Sequence, residues 1–527
     1  MRSVCWNSCA SMEKSAKSDR PYTTPATREE KQELDCQHRL AGKRIINEQA
    51  RRQVRTFLDE LKNGTRNYRT VASLGGQVAQ EYRGRAILEL LQNAHDVLAF
   101  GVDDDPRQIS FVLRSSPEPE LLVANSGRSF LPRDFTGICE LAQSPKDPNE
   151  SVGNKGLGFQ SVLELSTRPE VWSTAPLGGD VAFTFGFDPA VREPIGRIAR
   201  ALVDGNLLTD PEFGTERIVN WTSEQIDEYR EQLRRGDIDP LEEVNIYLSP
   251  YVVPRFLKPP PKEVTKLLEA GHVTVVRLPL DGGKTGNPGD AIKSVREQLG
   301  TLDEAAMVFL HHLSVLRITI DGEHTELRRQ VDSRVADHAH FTRKERLRVK
   351  SVGGGNATER TFHLWSKAAG GDTNVAETER IVAAVRHLPN RWPEVRRVEV
   401  AVAVEETREA RRGVFVIFLP TAMETGVGAY INAPFYGSLD RRQINFRDEY
   451  NNLLLEWVTN LMLDAVAELV KGRPKPWRGR AIVDLLGQTA ISSTIDQAQS
   501  LADRICQRAD DLGQPLDQLA LILCDDG

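Results

Sequence analysis

The chain has 527 residues, more than one hydrophobic core normally supports, so two or three domains are expected. A hydrophobic content of 40% and a charged content of 27% are those of an ordinary globular protein, and the net charge of −7 argues against a surface that coats nucleic acid. The sequence has no C-x-x-C pair, no apolar run long enough to cross a bilayer and no secretory h-region. We therefore expect a cytoplasmic protein with free thiols and no membrane partner.

The first stretch of the chain, residues 1–35, is polar and lacks periodicity, which predicts a disordered tail. Residues 36–64 are charged, have helical spacing and end at Gly64, so they predict a helix. The basic cluster in this helix could contact a partner or nucleic acid, but a solvated helix face is the favoured interpretation.

A helix with a distinctive polar face is predicted within residues 71–100, where apolar residues recur at helical spacing. Glu89, Asn93 and Asp96 are three or four positions apart and therefore project from one neighbouring face. Two carboxylates and an amide can hold a magnesium ion and a water and can supply a base that activates the water. A solvated polar face is the alternative interpretation.

Two short apolar runs come next, at residues 109–113 and 121–124, and they predict neighbouring strands. The second run ends in the turn Asn125-Ser126-Gly127. A short helix is expected at residues 132–141, because proline is favoured in a first helical turn. Residues 143–155 are rich in Pro, Asn and Gly and predict a loop.

The end of this loop is glycine-rich and leads into residues 159–165, which predict the start of a helix. Backbone N–H groups at a helix N-terminus form an anion site, to which a lysine adds a point charge. The spacing fits neither a Walker A loop nor a dinucleotide fingerprint. The residues of this candidate phosphate loop are Gly153, Lys155, Gly156, Gly158 and Phe159.

Further strands are predicted at residues 273–278, which include Thr274, and at residues 315–320, which would close the first domain. A charged stretch with paired glycines follows, and it places a domain boundary near residues 325–345.

The second half of the chain predicts strands at residues 398–404 and 413–419, followed by a long irregular stretch, residues 420–446. An apolar helix is expected at residues 450–470, and further helices are expected after Pro474.

The motifs E-x-x-x-N-A-x-D, N-S-G and G-x-x-G-x-G-F, in this order, resemble the Bergerat fold. This fold is the ATP site of gyrase, the heat-shock-ninety chaperones, histidine kinases and MutL, the GHKL superfamily. Within it, the runs ELLQNAHD and VGNKGLGFQSVLEL are most similar to sacsin-type, heat-shock-ninety-like ATPases.

The resemblance implies an α+β fold class, in which a Bergerat-fold ATP-binding domain has its helices packed on one face of a mixed sheet. An α/β middle domain and a helical C-terminal segment would follow. The expected domains are residues 36–330, 331–472 and 473–527.

The resemblance also implies roles for individual residues. Glu89 would activate water as general base, and Asn93 would hold magnesium. Asn125 stands where the family usually has an Asp that accepts a hydrogen bond from the adenine amino group. Residues 143–155 would form a lid over the phosphates. The other implied nucleotide-binding residues are Asp96, Gly127 and Thr274, with Gly153, Lys155, Gly156, Gly158 and Phe159 of the phosphate loop.

The irregular stretch 420–446 resembles the loop of the heat-shock-ninety middle domain that delivers an arginine to the γ-phosphate of ATP. The resemblance implies that Arg441 or Arg442 has this catalytic role, whereas a solvated arginine pair is the alternative.

The function implied by the resemblance is that of a slow, magnesium-dependent ATPase. Lid closure and domain docking, driven by ATP, would act on a protein client or partner, as in a chaperone. A homodimer is left open.

Three alternatives also remain open. A nucleotide-sensing module would bind ATP without turnover, which Asn125 favours and Glu89 opposes. A histidine kinase would need a phosphoacceptor helix pair, for which the upstream region offers only His38. A nucleic-acid-linked clamp ATPase would need a basic domain, which the net charge does not support.

Overall fold

The computed structural model describes most of the chain. The described ranges are residues 28–70, 72–73, 84–100, 107–139, 158–175, 181–202, 218–257, 259–283, 286–336, 341–372, 374–389, 392–417, 419–438, 443–471, 475–486 and 501–511.

The described residues form eleven helices of more than one turn, together with shorter 3-10 segments. These helices are α1 (Arg28–Asn63), α2 (Ala86–Leu98), α3 (Pro132–Cys139), α4 (Arg192–Ala201), α5 (Ser223–Arg235), α6 (Lys262–Glu269), α7 (Pro288–Gly300), α8 (Val375–Val385), α9 (Glu449–Lys471), α10 (Pro476–Leu486) and α11 (Leu501–Asp511).

The strands are more numerous than the sequence predicts. They are β1 (Gln108–Arg114), β2 (Glu120–Asn125), β3 (Glu170–Ser173), β4 (Phe183–Gly186), β5 (Arg255–Phe256), β6 (Thr274–Pro279), β7 (Val315–Ile320), β8 (Glu323–Ala336), β9 (Arg343–Gly353), β10 (Asn356–Gly370), β11 (Arg397–Glu405), β12 (Val414–Ile417), β13 (Leu419–Glu424) and β14 (Tyr430–Asn432).

All fourteen of these strands belong to one sheet, in the order β13-β12-β14-β11-β10-β9-β8-β7-β1-β2-β6-β3-β4-β5. The β1–β7 and β12–β14 pairs are parallel, and the other neighbours pair in the antiparallel sense. The molecule is therefore a mixed α/β protein built on one large mixed sheet.

The first part of the sheet is covered on both faces. The face that we name the α2 face packs Phe111 of β1 and Val123 of β2 against Leu91 of α2. On the opposite face, which we name the α6 face, Val264 of α6 packs against Val275 of β6. The expectation of helices on a single face is therefore wrong, because successive side chains of a strand alternate in direction and both sets are apolar here.

In the second part of the sheet, the helices α8, α9 and α10 cover the α6 face. Trp365 of β10 and Val402 of β11 belong to one large core with Ile381, Leu454 and Leu485 of those helices. The helical C-terminal part of the chain thus packs onto the sheet and joins its core.

The boundary that the sequence suggests, between residues 330 and 331, falls inside β8, which pairs with β7 on one side and β9 on the other. The hydrophobic core also crosses this boundary. On the α2 face, Phe362 and Leu364 of β10 share one cluster with Leu91 of α2. The two expected domains therefore share a sheet and a core.

The long strands β8, β9 and β10 are missing from the sequence prediction because their exposed positions carry charges, which mask the alternation of apolar residues. On the α6 face, Arg348 of β9 donates to Asp332 of β8 at 2.8 Å and lies 3.6 Å from Glu359 of β10. On the α2 face, Leu347 and Val349 are buried. Opposite charges across neighbouring strands support such pairing.

Two other expectations change at the ends of elements. Helix α1 begins at Arg28, so the tail predicted for residues 1–35 is wrong for residues 28–35, while residues 1–27 lie outside the described residues. The stretch predicted to be irregular, residues 420–446, contains most of β13, all of β14 and a bridge between Gly437 and Ile444.

Among the described residues, every helix is too short or too polar to span a bilayer.

The shared core predicts that a mutation in the second half of the chain weakens the whole molecule. Leu364→Ala removes a side chain that is 0% exposed and should lower the free energy of unfolding by about 2–5 kcal/mol. Leu40→Ala, at a leucine that is 61% exposed on α1, is the matched control and should change it by less than about 0.5 kcal/mol. Urea unfolding, followed by circular dichroism, measures both. Equal losses in the two variants would contradict the burial of Leu364 in this core.

Candidate functional site

Helix α2 carries the first motif and buries it. Its apolar side places Ile87, Leu91 and Leu98 in the core of the α2 face. Glu89 on the neighbouring side is only 1% exposed, and its Oε1 atom has no hydrogen-bond partner among the described residues. Asn93 is partly buried. The expected polar face is thus real, but its carboxylate lies inside the protein rather than in solvent.

The start of α2 is held by side chains from elsewhere in the chain. The backbone N–H of Ile87 donates to Oε1 of Gln298 in α7 at 3.0 Å, which satisfies one of the unpaired donors of the first turn. Just before the helix, the N–H of Gly84 donates to Glu164 at 2.9 Å. These bonds fix the depth at which Glu89 enters the core.

The end of α2 meets the turn Asn125-Ser126-Gly127. The N–H of Arg128 donates to the carbonyl oxygen of Val97 at 3.2 Å. Gly127 has φ of +91°, and a Cβ atom at this position would lie 2.6 Å from the oxygen of Val97. Only glycine combines this backbone conformation with so close an approach.

The segment Gly158–Glu164, which begins with the last residues of the candidate phosphate loop, packs against α2 as a 3-10 helix, whereas the sequence predicts the start of an ordinary helix. Phe159 is partly buried against the core of the α2 face. Gly283 approaches this segment so closely that a Cβ atom there would collide with the carbonyl oxygen of Leu163. The backbone of Gly283 therefore lies directly against the end of this segment.

Several predicted residues lie outside the described residues. They are Gly153, Lys155 and Gly156 of the phosphate loop, the whole predicted lid at residues 143–155, and the arginine pair Arg441 and Arg442. Their roles stay predictions.

A row of polar side chains crosses the sheet beside the Gly127 turn. Asn125 of β2 lies opposite Thr274 of β6, and Thr274 lies opposite Ser173 of β3. Residues directly opposite on neighbouring strands point to the same face, here the α2 face. The Oγ atoms of Ser173 and Thr274 are 2.8 Å apart, and Nδ2 of Asn125 donates to the carbonyl oxygen of Ser126 at 2.7 Å.

Ser173 is a member of this row that sequence reasoning missed. A serine at a strand end carries no signal of its own, because the register that sets it beside Thr274 joins residues about a hundred positions apart in the chain. The available signal was the alternation of β3, whose apolar Val171 shares a face with Ser173.

The described residues thus bring three motifs to one region. Helix α2 holds Glu89, Asn93 and Asp96; the Gly127 turn meets its end; and the segment that begins at Gly158 packs along it.

The histidine next to Asp96 is buried at the junction between α2 and the loop before β7. Nε2 of His95 accepts a hydrogen bond from the backbone N–H of His312 at 3.3 Å. Burial lowers the pKa of His95 to about 4, with a further lowering from His312 and Arg329 and an opposing effect of Asp96. His95 is therefore neutral at neutral pH and serves as an acceptor that ties α2 to this loop.

No group of three or more His, Cys, Asp or Glu side chains in the described part of the chain is arranged to hold a metal ion. The predicted magnesium ligand, Asn93, would bind the ion through its side-chain amide oxygen, and it does not belong to such a group. Magnesium is commonly held by one or two protein oxygens, with substrate phosphates and water supplying the rest. A magnesium ion at Asn93 would therefore need phosphate and water for its other ligands.

Comparison with known proteins adds a short partial similarity. No family model matches this chain. The chain is 33% identical over 103 residues to the protein NO VEIN of Arabidopsis thaliana, a match that covers 19% of this chain and 3% of that protein. The chain thus spans a small fraction of the length of this curated relative.

The close approach at Gly127 predicts a steric cost beyond that of its backbone conformation. Gly127→Ala should lower the free energy of unfolding by about 2–4 kcal/mol, because a methyl group must displace the end of α2. Gly322→Ala is the matched control, since Gly322 has φ of +93° and nothing within 4 Å of the added Cβ. It should lose only about 1–2 kcal/mol. If urea titrations give the same loss for both variants, the end of α2 at Val97 moves aside without a measurable cost in free energy of unfolding.

The buried neutral His95 predicts a loss of stability in acid. The folded-state pKa of about 4 lies below the unfolded value of 6.5, so the contribution is complete above pH 6.5 and falls away as the pH drops toward 4. It amounts to about 3 kcal/mol. His95→Gln should remove this part of the pH dependence, which chemical unfolding at several pH values measures. His324→Gln, at an exposed histidine, is the matched control, and a wild-type profile for His95→Gln would refute the assignment.

Proposed function

We propose that this protein binds ATP at α2 and the neighbouring strand ends, in the manner of the GHKL superfamily, and hydrolyses it slowly with magnesium. The observation that carries the proposal is the buried carboxylate of Glu89, whose Oε1 atom lacks a hydrogen-bond partner among the described residues.

A carboxylate in this position calls for a polar ligand. A buried polar atom without a hydrogen-bond partner costs about 1–3 kcal/mol, and a catalytic role or a bound water is one explanation for such an atom. A water molecule that attacks a phosphate supplies the missing hydrogen bond. Glu89 then accepts the proton of that water, which is the role of a general base.

The turn at the other end of α2 supports a nucleobase site. Nδ2 of Asn125 donates a hydrogen bond to the carbonyl oxygen of Ser126. The Oδ1 atom of Asn125 is therefore the group that can accept a hydrogen bond from an exocyclic amino group. Thr274 lies directly opposite Asn125 on the next strand and adds a hydroxyl to the same row. The acceptor at Asn125 is neutral, and the bond is weaker than one to a carboxylate.

The phosphate end would lie along α2 and the segment that begins at Gly158. Asn93 would hold magnesium, which offsets the charge of the phosphates and the charge that develops in hydrolysis. Gly153, Lys155, Gly156 and Gly158 would bind phosphate oxygens, mainly through backbone N–H groups, and Arg441 or Arg442 would add a cation.

A nucleotide sensor without turnover is the second candidate. The neutral acceptor at Asn125 favours it, because weaker binding suits a protein that senses the cellular ATP concentration better than one that commits bound ATP to hydrolysis.

The proposal predicts that binding and turnover separate at Glu89. Glu89→Gln keeps the shape of the side chain and should leave ATP affinity within about threefold, yet lower the hydrolysis rate by about 10²–10⁴ because no base remains. Calorimetry with magnesium and ATP measures the affinity, and release of labelled phosphate measures the rate. Glu48→Gln, at an exposed glutamate of α1, is the control and should behave as wild type.

Three outcomes decide between the candidates. Absence of ATP binding up to millimolar concentration contradicts both. Binding without turnover in the wild-type chain selects the sensor. Wild-type turnover in Glu89→Gln shows that another group is the base.

A further inference from the structure

We propose that the buried junction between α2 and strands β8 to β10 binds one small monovalent anion, for which chloride is the natural probe. We name this place the junction site. It consists of the side chains of His95, His311, Arg329, Arg343 and Ser366. The inference is independent of ATP binding, because it rests on hydrogen-bond donors that the candidate nucleotide site does not include.

The two histidines of the junction site each carry their N–H group at Nδ1. Nε2 of His95 accepts the backbone N–H of His312 at 3.3 Å. Nε2 of His311 lies 3.1 Å from a guanidinium nitrogen of Arg343, and because a guanidinium group can only donate, this Nε2 is also an acceptor. Burial lowers the pKa of both histidines and keeps them neutral, so each ring has a single N–H. Both Nδ1 atoms are therefore donors.

The donors of the junction site lack acceptors in the described part of the chain. The Nδ1 atoms of His95 and His311 are buried without a hydrogen bond, and so are the Nε atoms of Arg329 and Arg343. The hydroxyl of Ser366, a residue that is 0% exposed, is in the same condition. Buried polar atoms are nearly always paired, and a bound ion or water is a common reason for an apparent exception.

The strand register places the arginines and the serine on one face of the sheet. Leu327 of β8 and Leu347 of β9 belong to the core of the α2 face. Arg329 and Arg343 stand an even number of residues from these leucines and therefore point to the same face. Ser366 of β10 lies directly opposite Arg343. Neighbouring strands thus direct three of the five donor side chains toward α2.

The histidines lie against this row of side chains. His311 contacts Arg343 through Nε2, as described above, and the rings of His95 and His312 have their centroids 5.5 Å apart. Arg329 is close enough to both His95 and His311 to contribute to the lowering of their pKa. The helix, the loop before β7 and the long strands therefore meet at the junction site.

The charges around the junction site favour an anion. Glu345, which is 0% exposed, is shared by three guanidinium groups, from Arg329 at 3.1 Å, Arg334 at 2.6 Å and Arg343 at 3.8 Å. Arg343 also donates to Glu399 at 2.8 Å. Three guanidinium groups and two carboxylates leave one positive charge in excess.

A single negative ion suits this arrangement better than a water molecule does. Water accepts at most two hydrogen bonds and must direct its own two hydrogens at acceptors, whereas the unpaired nitrogens here are all donors. A monatomic anion accepts from several directions and has no hydrogen to place, and hydrogen bonds to a charged acceptor are the stronger kind. Arg107 and Asp96 also act on His312, and their opposite charges offset each other. The excess of one positive charge therefore matches one chloride ion.

The first experiment uses chloride alone. Urea unfolding of the full chain at constant ionic strength, with chloride replacing methanesulfonate, measures how the folding equilibrium constant depends on chloride. An ion that binds only the folded chain should raise this constant about tenfold for each tenfold increase in its concentration above the dissociation constant. Crystals grown in bromide locate the ion, because the anomalous signal of bromide should appear among the five side chains of the junction site.

Two substitutions at His311 separate anion binding from a structural role. His311→Gln keeps a polar atom for Arg343 at the place of Nε2 but removes the Nδ1 donor, so chloride should bind about tenfold more weakly. His311→Asn puts an amide N–H at the place of Nδ1 and should retain the chloride response. His324→Gln, at an exposed histidine, is the matched control and should respond as wild type does.

A second variant keeps the test decisive if the His311 variants fold poorly. Ser366→Ala removes one donor without removing a charge and should weaken chloride binding about threefold. Ser333→Ala, at an exposed serine of β8, is its control.

Three results would overturn the inference. A wild-type folding constant that does not change with chloride shows that water satisfies the donors. A chloride response that is the same in wild type, His311→Gln and Ser366→Ala places the ion elsewhere. Bromide crystals without an anomalous peak at the junction site lead to the same conclusion.

Discussion

The contact between Gly127 and the end of α2 sets the geometry on which the rest of the candidate site depends. A turn that leaves β2 touches the last turn of the helix so closely that no side chain fits between them. Because β2 is hydrogen-bonded to β1 and β6 along its length, the contact fixes α2 on the sheet as well as on the turn. Glu89, in the first half of that helix, and Asn125, at the end of the strand, are thereby held at a constant separation. A ligand that contacts both residues would have to match this separation, because the protein backbone that sets it deforms little.

The continuous sheet connects this arrangement to the second part of the molecule. Helices cover the α2 face in the first part of the sheet, and α8 to α10 cover the opposite face in the second part. Strand β10 belongs to both parts, because Leu364 lies in the core of the α2 face and Trp365 lies in the core beneath α8 to α10. The core residues Phe362 and Leu364 carry the same connection through packing. Close-packed interiors transmit displacements because they have little free volume to absorb them.

Much of the first half of the fold could be predicted from the sequence, because its signals are local. The apolar spacing of α2 and the two runs of β1 and β2 are confirmed as elements. The predictions fail where the determinant is a distant partner. Strands β8 to β10 carry charges that make sense only once Arg348 faces Asp332 and Glu359. The site divides in the same way: the spacing of Glu89 and Asn93 is visible in the chain, whereas the burial of Glu89 and the place of Ser173 follow from the strand register.

The buried network behind α2 shows how the candidate site and the long strands constrain each other. His95 accepts from the backbone of His312, and Nε2 of the preceding His311 lies 3.1 Å from a guanidinium nitrogen of Arg343 in β9. Arg343 also donates to Glu399 of β11 at 2.8 Å. One chain of contacts thus runs from the helix that carries Glu89 to the strands of the second core. Burial lowers the pKa of all three histidines, and Nε2 of His95 and Nε2 of His311 act as acceptors. A movement of α2 along the sheet would break the bond between His95 and the backbone of His312, whose partly buried position limits replacement by water. The helix is therefore held in one position against the sheet, and any ligand-driven change is more readily taken up by segments outside this network than by α2 itself.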